Sequence, residues 1–174
     1  MTFEQYVKNL EVPQSNIDVV LDTDAYNEVD DQFALAYLLK SPEKLSVKAV
    51  YAAPFFNENS SSPEDGMEKS YDEILKIIKL AGAALPDGCV LKGSRKYLQD
   101  EHTPVHSPAA QDLALRATGY SPQNPLYVVA IGAITNVASA LLISPEIKEN
   151  IVVVWLGGHA LDFGNSNEFN MAQD

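Results

Sequence analysis

The apolar positions of the chain alternate between short β-branched runs and longer segments with helical spacing. Four runs predict strands, and a fifth, weaker one is centred on Val90-Leu91. The four runs are Ile17–Leu21, Leu45–Ala52, Leu126–Ala130 and Ile151–Leu156. The last three are apolar enough to predict strands that are buried on both faces, as in a parallel sheet.

Segments with helical patterns lie between these strands. Asp31–Leu39 is rich in Ala and Leu, Met67 to Ile78 places its apolar residues on one face, and Ile134–Leu142 supplies a further helix. Ser107-Pro108 is typical of an N-cap followed by proline at the first helical position. Strict alternation of strand and helix predicts an α/β, doubly wound, mostly parallel Rossmann-like sheet with helices on both faces. With neither a repeat nor a dividing linker, residues 1–174 are expected to form a single domain.

Acidic residues follow the first predicted strand directly. Five of the ten residues 22–31 are Asp or Glu. Single Asp residues at a helix start are ordinary caps that favour the positive end of the helix dipole. Five together concentrate a negative charge that is costly unless a cation or water compensates it. The cluster therefore predicts a divalent metal with oxygen ligands, or a substrate site, at the carboxyl end of a parallel strand.

The end of the chain carries a second polar segment, from Gly157-Gly158 to Asn170. Paired glycines after a buried strand allow the backbone to approach a ligand closely, and Asn and Glu side chains suit neighbouring sugar hydroxyls. The same composition is also typical of a polar turn. In open α/β sheets, ligands bind outside the carboxyl ends of the strands, so this segment and residues 22–31 are expected on one rim.

Three motifs in order resemble the inosine–uridine-preferring nucleoside hydrolase family. They are Asp22-Thr23-Asp24 with Asp30-Asp31, then Ile134-Thr135-Asn136, then Gly157-Gly158 with Gly164-Asn165 and Glu168-Phe169-Asn170. The similarity runs from Ile17 to Asp174. It implies calcium-dependent hydrolysis of the N-glycosidic bond of ribonucleosides to ribose and free base, and it implies a homo-oligomer.

The resemblance also implies roles for individual residues. Asp24, Asp31 and the backbone carbonyl of Ile131 would bind Ca²⁺, and Asp24 would be the general base. The ribose hydroxyls would be held by Asp30, Asn57, Asn165, Glu168 and Asn170.

Two departures from the family pattern bear on activity. The turn between Asp24 and Asp30 is longer than usual and contains Asn27 and Glu28. The preferred nucleobase is therefore not inferred from the purine- or pyrimidine-specific members of the family. A late His-Asp pair of the family has no counterpart here, which leaves three readings: a fragment, a natural short form or an inactive relative. Among the histidines, His102 and His106 are expected in solvent, and His159 is either structural or close to the pocket.

Composition limits the partners. The formal net charge of -12 argues against nucleic acid or an anionic membrane as the main partner. No apolar run is long enough to cross a bilayer, and the N-terminus lacks the pattern of a secretory signal. Cys89 is the only cysteine, so no internal disulfide forms. We therefore expect a soluble, cytoplasmic protein that binds a small nucleoside or ribose.

Two alternatives stay open. Asp22-Thr23-Asp24 after an apolar strand also resembles the start of haloacid-dehalogenase-type phosphatases, in which the first Asp is a nucleophile. A catalytically inactive calcium- or ribose-binding relative is the other. An EF-hand loop fits poorly, because Asn27 and Phe33 occupy the positions that need Gly and Glu.

Overall fold

A computed structural model of the chain describes residues 1–164 and 167–174. In it the chain alternates between helices and strands as the apolar pattern predicts. The strands are β1 (Ile17–Thr23), β2 (Leu45–Ala52), β3 (Val90–Lys92), β4 (Leu126–Ala130) and β5 (Ile151–Trp155). The α-helices are α1 (Phe3–Asn9), α2 (Val29–Leu39), α3 (Pro63–Leu80), α4 (Pro108–Arg116), α5 (Thr135–Ile143) and α6 (Phe169–Gln173). Short 3₁₀ helices follow α4 and α5, at Ala117–Gly119 and Pro145–Glu149.

The five strands form one parallel sheet in the order β3-β2-β1-β4-β5. This order confirms the doubly wound α/β prediction. The chain first builds outward from β1 through β2 to β3, then returns to add β4 on the other side of β1. The reversal leaves a crevice between the carboxyl ends of β1 and β4, which is where ligands bind in sheets of this kind.

Helices cover the two faces of the sheet and bury two apolar clusters. Val20, Tyr51 and Val128 face the side of α4 and α5, where they pack with Leu113 and Val137. On the opposite face, Val19, Leu21 and Val50 pack with residues of α2 and α3, including Leu35, Met67 and Ile74. Successive residues of β1 thus enter different clusters, because side chains alternate across a strand. Burial on both faces explains why the central parts of these strands, 19–21 in β1, 49–52 in β2 and 126–130 in β4, are uninterrupted apolar segments.

Strand β5 differs from the prediction that it is buried on both faces. Only Ile151 is fully buried in it, whereas Val153 and Val154 are 40% and 52% exposed. β5 lies at the edge of the sheet, so it has a neighbouring strand on one side only. Apolar character therefore located the strand correctly but overstated its burial.

Side-chain caps fix where four of the helices begin. Thr2, Ser62 and Ser107 each accept a hydrogen bond from a backbone N–H in the first turn of α1, α3 and α4, and Glu168 does the same for α6. None of the helices in the described part of the chain combines the length and apolarity that crossing a bilayer requires.

Candidate active site

The end of β1 places Asp22 and Asp24 at the crevice. Both side chains are almost completely buried, at 0% and 1% exposure. Hydrogen bonds from neighbouring strands hold this turn: Ile131 N–H donates to the carbonyl of Asp22, and Ala53 N–H donates to that of Thr23. The first acidic residues of the cluster are therefore part of the sheet and not a solvated loop.

Asn136, in the first turn of α5, holds the side chain of Asp22. Its Nδ2 donates to Asp22 Oδ1 at 2.8 Å and lies 3.3 Å from the carbonyl oxygen of Ala52. Its Oδ1 accepts hydrogen bonds from Ser94 and Ser107. Asp22 Oδ2 is buried and has no hydrogen-bond partner among the residues that the structure describes. Burial raises the pKa of Asp22 to about 7, although the hydrogen bond from Asn136 opposes the shift.

Asp24 is held by the turn that follows it. Asn27 donates through its backbone N–H to the Asp24 carbonyl at 2.7 Å and through Nδ2 to Asp24 Oδ2 at 3.0 Å. Burial, followed by the nearby charge of Asp31, raises the pKa of the Asp24 carboxyl. Those two effects identify Asp24 as a desolvated acid facing another acid.

Asp31 reaches the same place from the first turn of α2. Its Oδ1 accepts a hydrogen bond from the Thr23 hydroxyl, so β1 and α2 are joined through the cluster. Burial raises the pKa of Asp31 as well, with further contributions from Asp30 and Glu28. In the described residues, no Lys, Arg or His side chain forms an ion pair with Asp22, Asp24 or Asp31.

The carboxyl end of β4 forms the opposite side of the crevice. Ile131 and Gly132 lie here, and Trp155 Nε1 donates to the Gly132 carbonyl at 3.0 Å. A Cβ placed on Gly132 would lie 2.8 Å from Asp24 Oδ1 and 3.0 Å from Ala53 Cβ. The absence of a side chain at position 132 thus allows the β4 backbone to approach the Asp24 carboxylate.

The tail of the chain reaches the same rim. Asn170, which is 6% exposed, donates through Nδ2 to the carbonyls of Ile131 at 3.1 Å and Leu156 at 2.9 Å. Glu168 accepts hydrogen bonds from the backbone N–H groups of Gly158, Asn170 and Met171. Partial burial would raise the pKa of Glu168, but these N–H groups outweigh it and leave the pKa lowered. Glu168 therefore caps α6 and closes the turn after β5.

The structure places the remaining predicted ribose ligands less closely. Asp30 is exposed at the start of α2, beside Asp31. Asn57 is half-buried after β2, and its Nδ2 donates to Asn27 Oδ1 at 2.6 Å. Asn165 lies outside the described residues.

All three histidines are exposed. His102 and His106 lie in the loop before α4, and the His159 ring packs against Phe163 with centroids 4.6 Å apart.

Three residues at the site were not predicted from the sequence: Asn27, Tyr97 and Gly132. The role of the fully buried Asn136 as a hydrogen-bond donor to Asp22 was not predicted either. Tyr97 donates its hydroxyl to Gln173, and burial followed by the charges of Asp24 and Asp174 raises its pKa. Asn136 was signalled by its motif, and the i, i+2 spacing of Asp22 and Asp24 after a strand puts both on one face. Nothing in the sequence alone pointed to Tyr97.

The donor set suits a hard divalent cation. Asp24, Asp31 and the Ile131 carbonyl are oxygen ligands of the kind that calcium and magnesium prefer. The unpartnered Asp22 Oδ2 and the mutual repulsion of Asp24 and Asp31 indicate a local excess of negative charge that a cation would relieve. Within residues 1–164 and 167–174, no group of three or more Asp, Glu, His or Cys side chains is arranged so that it could hold a metal ion.

The fold and site define a doubly wound α/β domain with a carboxylate centre at its topological switch point. The inosine–uridine preferring nucleoside hydrolase family model matches residues 19–174. The chain belongs to this family.

Curated relatives and a solved structure agree with that assignment. The chain is 28% identical over 175 residues to a non-specific ribonucleoside hydrolase, RihC, of Salmonella schwarzengrund, covering 92% of this chain and 55% of the relative. It is 29% identical over 181 residues to a pyrimidine-specific ribonucleoside hydrolase, RihA, of Escherichia coli, covering 91% and 54%.

A purine-preferring ribonucleoside hydrolase from Gardnerella vaginalis superimposes with a TM-score of 0.67 at 25% identity, covering 90% of this chain and 54% of that structure. The chain thus spans about half the length of the relatives it matches.

Proposed function

We propose that this chain carries the metal- and sugar-binding half of a nucleoside hydrolase site, and that it acts in the calcium-dependent hydrolysis of a ribonucleoside to ribose and free base. One observation carries the proposal: three carboxylates, Asp22, Asp24 and Asp31, are buried together at the switch point with only neutral hydrogen-bond donors among their described partners. Such an arrangement is costly for stability, and clustered desolvated acids are typical of functional sites.

Asp24, Asp31 and the carbonyl of Ile131 are the proposed cation ligands. When bound, a cation of this kind orients the ribose diol and lowers the pKa of a water molecule. Asp24 accepts a proton from the attacking water, as a general base. The carboxylates around the sugar stabilise the positive charge that develops at the anomeric carbon, since N-glycoside cleavage shares the oxocarbenium-like transition state of glycoside hydrolysis.

The same proposal assigns the sugar hydroxyls to Asp30, Asn165, Glu168 and Asn170. Asn57 is not included, because its Nδ2 donates to Asn27 and its Oδ1 accepts from the backbone of Asn59. Asn170 has the strongest support, because its side-chain amide is bonded to the carbonyl of the proposed ligand Ile131. Glu168 supports the site indirectly by closing the Gly158 turn. A nucleoside and a calcium ion are the proposed partners, together with further copies of the chain.

The test is release of ribose from inosine and uridine by the full chain, measured with a reducing-sugar assay with calcium and with a chelator. Calcium-dependent release that is lost in Asp24→Asn supports the proposal. Binding of calcium without turnover would instead support the inactive relative, and neither binding nor turnover would reject both.

The phosphatase alternative has less support. Asp22, which would be its nucleophile, has no exposed surface, and Asn136 occupies one of its oxygens. Hydrolysis of p-nitrophenyl phosphate that depends on Asp22 would nevertheless favour it.

A further inference from the structure

We infer that Asn27 is a positioning residue for Asp24 and that Asn57 acts through Asn27, an inference that rests on the proposed function. Asn27 lies between the two pairs of acids, in the turn from β1 to α2, and is 8% exposed. Both residues lie outside the strands and helices. Asn27 donates to the carboxylate that the reaction uses, and Asn57 donates to Asn27.

The hydrogen bonds form one directed series, which we call the amide relay: Asn59 N–H, Asn57, Asn27 and Asp24. The backbone N–H of Asn59 donates to Asn57 Oδ1 at 2.8 Å. Asn57 Nδ2 donates to Asn27 Oδ1 at 2.6 Å, and Asn27 Nδ2 donates to Asp24 Oδ2 at 3.0 Å. Each amide accepts at one end and donates at the other, so the bonds polarise one another in the same direction.

The direction of the relay is set by its end. An ionised carboxylate only accepts hydrogen bonds, so Asn27 must turn its Nδ2 toward Asp24 and present its Oδ1 to Asn57. A single buried amide with no second contact would be free to rotate about its terminal torsion. The bond from Asn57 is a second contact of the Asn27 amide, so Asn57 holds the amide in the orientation that Asp24 selects.

The relay determines which Asp24 oxygen faces the crevice. Asn27 occupies Oδ2, whereas Oδ1 is the oxygen close to Gly132 at the end of β4. Fixing one oxygen with a neutral donor leaves the charge of the carboxylate intact and leaves Oδ1 toward the β4 side of the site. A Lys or Arg in the place of Asn27 would instead neutralise the charge that a cation needs.

This role differs from direct sugar binding by Asn57. Asn57 Nδ2 and Oδ1 are both engaged within the relay. Loss of a group that orients a metal ligand typically costs about 10- to 100-fold in metal affinity or activity. Loss of a group that binds sugar equally in the ground and transition states raises KM without lowering kcat. The two roles therefore have different kinetic signatures.

The experiment compares Asn27→Ala, Asn57→Ala and the double variant in the full chain. Glu58→Gln is the control, because Glu58 is exposed in the same loop. Calorimetric titration with calcium alone is expected to show a dissociation constant about 10- to 100-fold higher for Asn27→Ala. Asn57→Ala should weaken binding by less or by the same factor, and the double variant should be no worse than Asn27→Ala, because both changes act on one series.

Two further readouts separate positioning from a structural role. With nucleoside, Asn27→Ala should lower kcat with little change in KM. In NMR spectra of side-chain amides, Asn57→Ala should shift the Asn27 signal, and Glu58→Gln should not.

The inference is overturned if Asn27→Ala leaves calcium affinity and kcat unchanged. It is also overturned if Asn57→Ala raises KM and its effect adds to that of Asn27→Ala. The same holds if the NMR signal of the Asn27 side-chain amide does not shift in Asn57→Ala. A wild-type chain that binds calcium but releases no ribose would reject the hydrolase proposal, and the relay would then be judged by the calcium titration and the amide signals. A wild-type chain that does neither overturns both.

Discussion

Two groups of buried or half-buried acids in this molecule are compensated in opposite ways. On the face covered by α4, Asp112 accepts two hydrogen bonds from Arg116, at 2.9 and 3.0 Å, and a third from the Tyr51 hydroxyl. At the switch point, Asp22, Asp24 and Asp31 receive hydrogen bonds from asparagine and threonine side chains. The charge of Asp112 is neutralised within the chain by Arg116. Asp22, Asp24 and Asp31 have no such partner among the described residues and keep a negative charge that an external cation can neutralise.

The kind of partner that compensates each acid distinguishes a structural carboxylate from a candidate functional one, without reference to any relative. Both groups are inaccessible enough to need compensation, and both join elements that are distant in sequence. Only the switch-point group lies where the sheet topology opens a crevice. Charge balance and position together, more than the number of acids, identify the site.

The largest expected effect is on Asp24. Asp24→Asn should lower ribose release by about 10²- to 10⁴-fold, since it removes the general base. The fold should persist, because an amide fills the same volume and removes a buried charge that faces another acid. Steady-state kinetics and far-ultraviolet circular dichroism would check this. Activity within tenfold of wild type would show that Asp24 is not the base.

Gly132→Ala is expected to have the next largest effect. The added methyl group would meet Asp24 Oδ1 at 2.8 Å, so the carboxylate or the β4 backbone must move. A misplacement of about 1 Å at a reacting group can cost about 100-fold in rate, so a loss of up to that size is expected. Ala133→Gly, one position further along, is the matched control for backbone flexibility. Equal calcium affinity and rate in Gly132→Ala and wild type would show that the close approach is unimportant.

Calcium should stabilise the chain more at pH 8 than at pH 5. Folding raises the pKa of Asp22 from 3.8 to about 7, so its contribution to the stability of the metal-free chain is full below pH 3.8 and is lost as the pH rises through about 7. Asp24 and Asp31 shift in the same direction. Deprotonated carboxylates bind the cation, and a concentration of 100 times Kd adds about 2.7 kcal/mol to the free energy of unfolding.

Thermal melting with calcium and with a chelator at the two pH values measures this difference. A calcium effect that is equal at both pH values, or larger at pH 5, would contradict the assignment of Asp24 and Asp31 as ligands.

The smallest expected effect tests the other side of the comparison. Asp112→Ala should lower the free energy of unfolding by about 1–3 kcal/mol, because it leaves the Tyr51 hydroxyl and Arg116 without their acceptor. Calcium affinity should not change. Urea denaturation and calcium titration of the same variant check both statements. A loss of calcium affinity would mean that the two acidic groups are coupled.

Local patterns in the sequence located much of the fold. The predicted bounds of β2 and β4 match the structure, because β4 and the buried second half of β2 are uninterrupted apolar segments. β1 extends two residues further than the predicted run, to Thr23, because Asp22 and Thr23 are polar although they belong to the sheet. Helix α1 was not predicted, since it buries none of its residues and leaves no strong apolar stripe.

The site was harder to predict than the fold. The family resemblance predicted that Asp24, Asp31 and Ile131 share one site. In the structure, the elements that hold these residues meet at the carboxyl ends of β1 and β4. The amide relay could not be predicted from the sequence, because Asn27 and Asn57 are thirty positions apart and lie in two polar loops with no periodic pattern. Tyr97 was missed for the same reason, as its position depends on the tail at Gln173.

Asn136 has a consequence for the order in which the molecule assembles. Its one amide connects Asp22, 114 positions earlier, with Ser94, which follows β3, and Ser107, which caps α4. Bringing such remote segments together costs chain entropy that only the finished sheet repays. Asp22 therefore gains its hydrogen-bond donor late in folding, and in a nascent chain that has not yet added α5 water can still solvate this carboxylate.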